Sequence, residues 1–142
     1  MSALKVGQVL WLVFRFNNTG TVSDSTHPYV ITSISDAEIG LVQLDSLKEG
    51  NRLHAFSKHS KVVYCSFPAE SVIQTDSYAQ LNNRFSVDNY SALIRYRQSE
   101  NTLSDARLDD LLSAYNDYHA TYAIDENRIV HMSQEEVEEL NP

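Results

Sequence analysis

Short apolar runs separated by polar turns fill the first half of the chain, and this pattern predicts β-strands. Val9 to Phe14 is apolar at every position, as in a strand that is covered on both faces. Residues 29–34 and 39–44 are rich in β-branched and apolar side chains and flank a Ser-Asp-Ala turn, so they predict a hairpin. Leu53 to Tyr64 and Ser71 to Thr75 predict further strands. Five or six short strands favour a partly open barrel, because closure removes exposed edges.

After about residue 85 the apolar spacing changes from that of strands to that of helices. Ser86 is a predicted helix cap, with a helix running through Arg97. A second, amphipathic helix ends near His119 and starts at a Thr102–Asp105 signal; its apolar positions are Leu108, Leu111, Leu112 and Tyr115. Ser133 and Glu136 have the spacing of a capping box before an acidic terminal helix. Between these two helices, residues 122–132 predict a small hairpin around the turn at 125–127.

Together these elements predict one α+β domain over residues 1–142, with a barrel-like antiparallel sheet in 1–85 and two or three appended helices in 86–142. The composition is ordinary for a globular protein, with 42% hydrophobic and 21% charged residues. No apolar run approaches the roughly 20 residues that span a bilayer, and no signal peptide is evident. We therefore expect a cytoplasmic protein that makes no membrane contact.

The charge is placed unevenly along the chain. Residues 1–71 hold six basic and six acidic side chains, so the whole net charge of −8 lies in residues 72–142. Tight nonspecific binding to nucleic acid is disfavoured, because phosphate neutralisation needs basic residues. The stretch 48–61 is the exception, with four basic residues and one acid. It is either a solvated edge strand or a local site for an anionic ligand.

The usual signatures of cofactor and metal chemistry are missing from the sequence. The five histidines lack zinc-ligand spacing, and neither glycine-rich phosphate motif occurs. Cys65 stands alone in a strand-like context, which predicts a buried, inert thiol. We expect no cofactor and no metal.

Four short segments, in this order, resemble the MazF/PemK-like toxin family. The chain opens with Gly7-Gln8-Val9-Leu10-Trp11, then has Thr26-His27-Pro28-Tyr29-Val30-Ile31, Gln43-Leu44-Asp45-Ser46 and Ser71-Val72-Ile73-Gln74-Thr75-Asp76. The resemblance covers roughly residues 5–115. It implies an SH3-like barrel with appended helices and a metal-independent endoribonuclease acting on single-stranded RNA. It also implies a homodimer restrained by an antitoxin protein.

Residue by residue, the resemblance implies a site at His27, Asp45 and Ser46, with an RNA-binding stretch that carries Lys48, Arg52, Lys58 and Lys61. The family places an Arg before the Pro of the second strand and a Thr before the Ser after the third. Here His27 replaces that Arg and Asp45 replaces that Thr. A histidine transfers protons near neutral pH but lacks the bidentate guanidinium grip on phosphate, and a carboxylate repels phosphate.

Three interpretations of these departures stay open. In the first, His27 and Asp45 are an acid–base pair, with Lys58 or Arg52 supplying the lost positive charge. In the second, catalysis has decayed and the barrel is a non-catalytic protein-interaction module whose acidic C-terminal half faces a basic partner. In the third, His27 and Asp45 are ordinary loop and turn residues.

Overall fold

A computed structural model describes residues 3–46, 60–63 and 77–142, and for residues 46 and 60–63 it describes the backbone alone. The described elements comprise seven strands: β1 (Val9–Leu12), β2 (His27–Ile34), β3 (Glu38–Ser46), β4 (Ser60–Val63), β5 (Ser77–Gln80), β6 (Arg84–Asp88) and β7 (Ile129–Met132). The helices are α1 (Asp105–Thr121), α2 (Gln134–Leu140) and two 3-10 helices, Ser91–Tyr96 and Glu126–Arg128. The chain is therefore of mixed α+β class, as predicted.

The long strand β3 organises the sheet. Along one edge it pairs with β2, and along the other it pairs first with β6 and then with β5, all antiparallel. Outer strands complete the order, with β1 beside β2 and β4 beside β5. The hairpin predicted at 29–44 is confirmed as β2 and β3. Among the described strands the sheet is open, and they do not show a closed barrel.

Strand β7 joins the sheet by a pairing that the sequence did not predict. Ile129–Met132 lies parallel to β6, with Phe85 opposite Val130 and Val87 opposite Met132. The hairpin predicted for residues 122–132 is therefore wrong. So is the helix start at Ser86, which lies within β6; the helical turn that follows is the 3-10 helix Ser91–Tyr96. Pairing with β3 and β7 overrides the weak helical spacing of this short stretch.

Both faces of the sheet are covered by apolar side chains. On face B, helix α1 packs through Leu111, Leu108 and Tyr115 against Val30, Val42 and other strand residues. On face A, strand side chains pack with Val137 of α2 and Leu93 of the 3-10 helix Ser91–Tyr96. The buried set is Leu10, Leu12, Phe14, Tyr29, Ile31, Ile39, Leu41, Phe85, Val87, Leu93, Val130, Met132 and Val137. Double coverage explains the uninterrupted apolar run of the first strand.

The caps of the two α-helices follow ordinary side-chain chemistry. Ser104 caps α1 by accepting a hydrogen bond from the backbone N–H of Arg107. The cap is therefore two residues later than Thr102, at which the predicted signal starts. Ser133 caps α2 by accepting from the N–H of Glu136, as its spacing predicted. None of the described helices is long and apolar enough to cross a membrane.

Candidate site at the polar end of face A

His27 and Asp45 lie side by side on β2 and β3. His27 Nδ1 is 3.3 Å from Asp45 Oδ1, and the two side chains are 29% and 19% exposed. The sheet register explains the contact, because Tyr29 pairs with Gln43 and a step of two residues along each strand brings His27 opposite Asp45. Two positions that the sequence singled out separately are therefore one pair.

The pair lies where face A changes from apolar to polar. Every second residue of β3 points to the same face of the sheet, and this row runs from Ile39 and Leu41 to Gln43 and Asp45. The first two are core residues, Gln43 is buried and polar, and Asp45 is partly exposed. An ionisable side chain at this end of the row reaches solvent while its neighbours remain in the core.

Two amides hold the Asp45 carboxylate in place. Gln43 Nε2 donates to both carboxylate oxygens, at 3.3 and 3.4 Å, and Gln80 Nε2 donates to Oδ2. An ionised carboxylate only accepts hydrogen bonds, so both amides must turn their NH₂ groups toward it. Asp45 thus fixes which end of each glutamine faces away from it.

A series of hydrogen bonds connects Gln80 to the guanidinium of Arg128. Asn83 Nδ2 donates to Gln80 Oε1 at 3.4 Å, and Arg128 Nη1 donates to Asn83 Oδ1 at 3.0 Å. Each amide therefore donates toward Asp45 and accepts from the direction of Arg128. These hydrogen bonds link Arg128 to the carboxylate of Asp45 through two neutral amides. In such a series, successive hydrogen bonds polarise one another.

Two tyrosines lie close to this carboxylate. Burial raises the pKa of Tyr78, and the negative charge of Asp45 raises it further. The same two causes, in the same order, raise the pKa of Tyr29, whose buried hydroxyl has no partner among the described residues. Both phenols therefore stay protonated at neutral pH and are donors rather than bases.

The remaining predicted site residues are described only in part. Ser46 ends β3 directly after Asp45, and Lys61 lies in β4; the structure describes the backbone of both. Lys48, Arg52 and Lys58 lie outside the described residues. The predicted RNA-binding stretch therefore stays a prediction.

Sequence reasoning missed Gln43, Gln80, Asn83 and Arg128. A local signal existed for Gln43, which shares the alternate row of β3 with Asp45. None existed for the others, because Gln80 and Arg128 reach the site through pairings that span 35 and 45 residues. Strand register, rather than sequence spacing, brings these groups together.

A second polar cluster, around His131, lies on the surface. Its Nε2 is 2.8 Å from Asp88 Oδ1 and its Nδ1 is 2.8 Å from Ser86 Oγ, while Glu38 Oε2 lies 3.6 Å from Nδ1. His131 and Asp88 are 41% and 40% exposed. Asp88 also accepts from the backbone N–H of Gln134. The cluster ties β3, β6, β7 and α2 together, and we assign it a structural role.

Within residues 3–46, 60–63 and 77–142, no group of three or more His, Cys, Asp and Glu side chains is arranged to hold a metal ion. Comparison of the chain with models of protein families and with curated proteins found no match.

Proposed function

We propose that this chain is a metal-independent endoribonuclease of the MazF/PemK-like type, acting on single-stranded RNA with His27 as its proton-transfer group. The observation that carries the proposal is the 3.3 Å approach of His27 Nδ1 to Asp45 Oδ1. These two residues stand at the positions that the resemblance assigns to catalysis. The SH3-like barrel, the homodimer and the antitoxin partner belong to the same proposal.

In this proposal the two ring nitrogens of His27 have different tasks. A neutral ring with its proton on Nδ1, facing the carboxylate, has its lone pair on Nε2. Nε2 then accepts the proton of a ribose 2′-OH while the 2′ oxygen attacks phosphorus. The bond from phosphorus to the 5′ oxygen breaks, leaving a 2′,3′-cyclic phosphate, and the 5′ oxygen takes a proton from water. General base catalysis of this kind contributes about 10²–10⁴-fold.

The contacts of Asp45 reduce the repulsion that a carboxylate exerts on phosphate. Its oxygens face the amide donors of Gln43 and Gln80 and the ring of His27. The negative charge is therefore directed at the protein's own donors. In this arrangement Asp45 is a positioning residue that holds the His27 ring, and it does not contact the scissile phosphate.

The experiment is cleavage of an end-labelled, unstructured RNA in the presence of EDTA. We expect the purified chain to release fragments with 2′,3′-cyclic phosphate ends, which mass spectrometry identifies. His27→Ala should lower the rate by about 10²-fold or more. Asp45→Asn should lower kcat and leave KM nearly unchanged, because the carboxylate no longer holds the His27 ring.

His131→Ala, once circular dichroism shows that it folds, is the matched control, because it removes an exposed histidine of the surface cluster on β7. It should cleave at the wild-type rate. Cleavage that persists in His27→Ala would show a contaminating nuclease or another mechanism. No cleavage across a broad RNA panel would refute the enzyme.

One observation favours the second candidate, a non-catalytic interaction module. The described polar groups around Asp45 are mostly amides, and Arg128 is their one cation in the described part of the chain. Hydrogen bonds from neutral amides are weaker than those from charged donors, so these groups supply little of the positive charge that a phosphate transition state needs. RNA or protein binding that is unaffected by His27→Ala, with no cleavage, would establish this candidate.

A further inference from the structure

A cavity of about 290 Å³ lies beside the His27–Asp45 pair. Gln43 and Gln80, which both donate to Asp45, line it, and so does Phe16, whose ring centroid is 6.0 Å from that of His27. Arg128 and Asn127 form part of the wall. The volume is at the small end of ligand pockets and suits a single planar ring system better than a large ligand.

The walls of this cavity are held in place by hydrogen bonds between two distant segments. Asn18, in the loop between β1 and β2, donates through Nδ2 to the carbonyls of Glu126 and Ile129 at 2.9 and 3.0 Å. Its backbone N–H donates to both the carbonyl and the side-chain oxygen of Asn127, each at 3.1 Å. A pocket built this way is formed before a ligand arrives, which lowers the entropy cost of binding.

Gln43 is a buried acceptor without a donor. The residue is 3% exposed, its Nε2 donates to Asp45, and its Oε1 has no hydrogen-bond partner among the described residues. A buried acceptor left unpaired costs about 1–3 kcal/mol, so a ligand N–H that reaches it is favoured. Arg128 supplies the opposite chemistry: its Nη1 donates to Asn83, and the guanidinium brings further N–H donors to the cavity wall.

We propose that this cavity holds one oxo-base of the RNA, a guanine or a uracil. The inference rests on the proposed function in that RNA is the ligand, and it adds which bases are bound and where. The ring N–H of the base donates to Gln43 Oε1, and its carbonyl oxygen accepts from Arg128. Phe16 contributes an aromatic surface against which a base stacks.

The hydrogen-bond directions disfavour adenine. Glutamine recognises adenine by using both ends of its amide, but Gln43 offers only its oxygen because the carboxylate holds the nitrogen. Arginine, by contrast, pairs most often with the carbonyl oxygen of guanine. Cytosine and adenine both lack the ring N–H beside a carbonyl that this pairing requires.

The test is binding of single nucleotides, which needs no cleavage. GMP, UMP, AMP and CMP are titrated separately into the ¹⁵N-labelled chain, and shifts of the Asn and Gln side-chain amides are followed by NMR. We expect GMP and UMP to bind about tenfold more tightly than AMP and CMP. N3-methyl-UMP, which lacks the ring N–H, should lose that advantage.

Three variants separate binding from folding. Gln43→Met removes the acceptor at nearly constant volume and should abolish the preference for UMP. Arg128→Met alters an exposed side chain, so it should fold normally and weaken GMP and UMP binding about tenfold. Gln8→Met is the matched control, because Gln8 is fully buried but lies outside the cavity lining. It should retain the wild-type preference.

The outcomes separate this inference from the nuclease. Preferred binding of GMP and UMP by a chain that cuts no RNA supports the pocket and refutes the enzyme. Cleavage of RNA by a chain that binds all four nucleotides equally, or none at about 10 mM, overturns the pocket and leaves the enzyme. A Gln43→Met or Arg128→Met chain that keeps the UMP preference also overturns it.

Discussion

Asn141 substitutes with its side chain for a missing neighbouring strand. The backbone N–H of Val13, just after β1, donates to Asn141 Oδ1 at 2.7 Å, and Asn141 Nδ2 donates back to the carbonyl of Val13 at 3.0 Å. Nδ2 also donates to the carbonyl of Val137, within α2. Asn141 is 8% exposed and Val13 is half-buried, so little water is at hand to replace these hydrogen bonds.

We predict that Asn141→Ala destabilises the fold by about 2–4 kcal/mol. Three hydrogen bonds at about 1 kcal/mol each give the central value, and the polar groups of Val13 that lose their partner raise it. For a domain of this size that change lowers the melting temperature by about 6–12 °C. It is a substantial share of the about 5–15 kcal/mol that stabilises a typical domain.

Urea unfolding followed by far-UV circular dichroism measures the effect. A shift of the midpoint at unchanged slope reports stability alone. Asn101→Ala is the control, because Asn101 is exposed, and it should change stability by less than about 0.5 kcal/mol. If Asn141→Ala is as mild as this control, the side chain does not act as a strand substitute.

Four further substitutions test the rest of the fold. Gly7 and Gly20 both have positive φ, but an added Cβ at Gly7 meets Leu108 at 3.0 Å while Gly20 faces open space; Gly20→Ala should therefore cost about 1 kcal/mol and Gly7→Ala about 2–4 kcal/mol in chemical denaturation. The backbone N–H that begins α2 holds the pKa of Asp88 below its usual range. The ionised carboxylate of Asp88 therefore stabilises the fold above about pH 4, and this contribution is lost as the pH falls below that. Asp88→Asn should flatten the acid limb of a stability–pH curve by less than about 1 kcal/mol. Leu111→Ala, at the fully buried contact of α1 with face B, should cost about 2–5 kcal/mol in the same assay.

Each of these changes has an outcome that contradicts its reasoning. Equal costs at Gly7 and Gly20 would mean that backbone strain alone matters at Gly7. If stability falls with decreasing pH as steeply in Asp88→Asn as in the wild type, the Asp88 carboxylate does not contribute to acid unfolding. If Leu111→Ala costs no more stability than an alanine substitution at an exposed residue, α1 does not pack on the sheet through Leu111.

Local patterns predicted the elements whose partners lie nearby in sequence. The β2–β3 hairpin needed only a turn between two β-branched runs, and α1 needed only its apolar spacing. The prediction failed at Ser86, where partners from β3 and β7 determine the conformation. A parallel pairing with a strand 45 residues away leaves no local signal.

The candidate site divides along the same line. His27 and Asp45 were both found from sequence, and their contact follows from a hairpin register. Gln80 and Arg128 were not found, because amides and a lone arginine are common on surfaces and gain meaning only from their neighbours. The cavity that these groups line depends on two segments that meet only in the folded chain.

The parallel pairing of β7 with β6 also bears on how the protein is made. Val130, Met132 and Val137 belong to the core that β1 to β3 begin, yet a ribosome delivers them more than eighty residues after β3. Until they emerge, the nascent chain holds an incomplete apolar face and an unpaired edge at β6, the kind of surface that invites aggregation. Folding of this sheet therefore finishes only after the last of these residues has been synthesised.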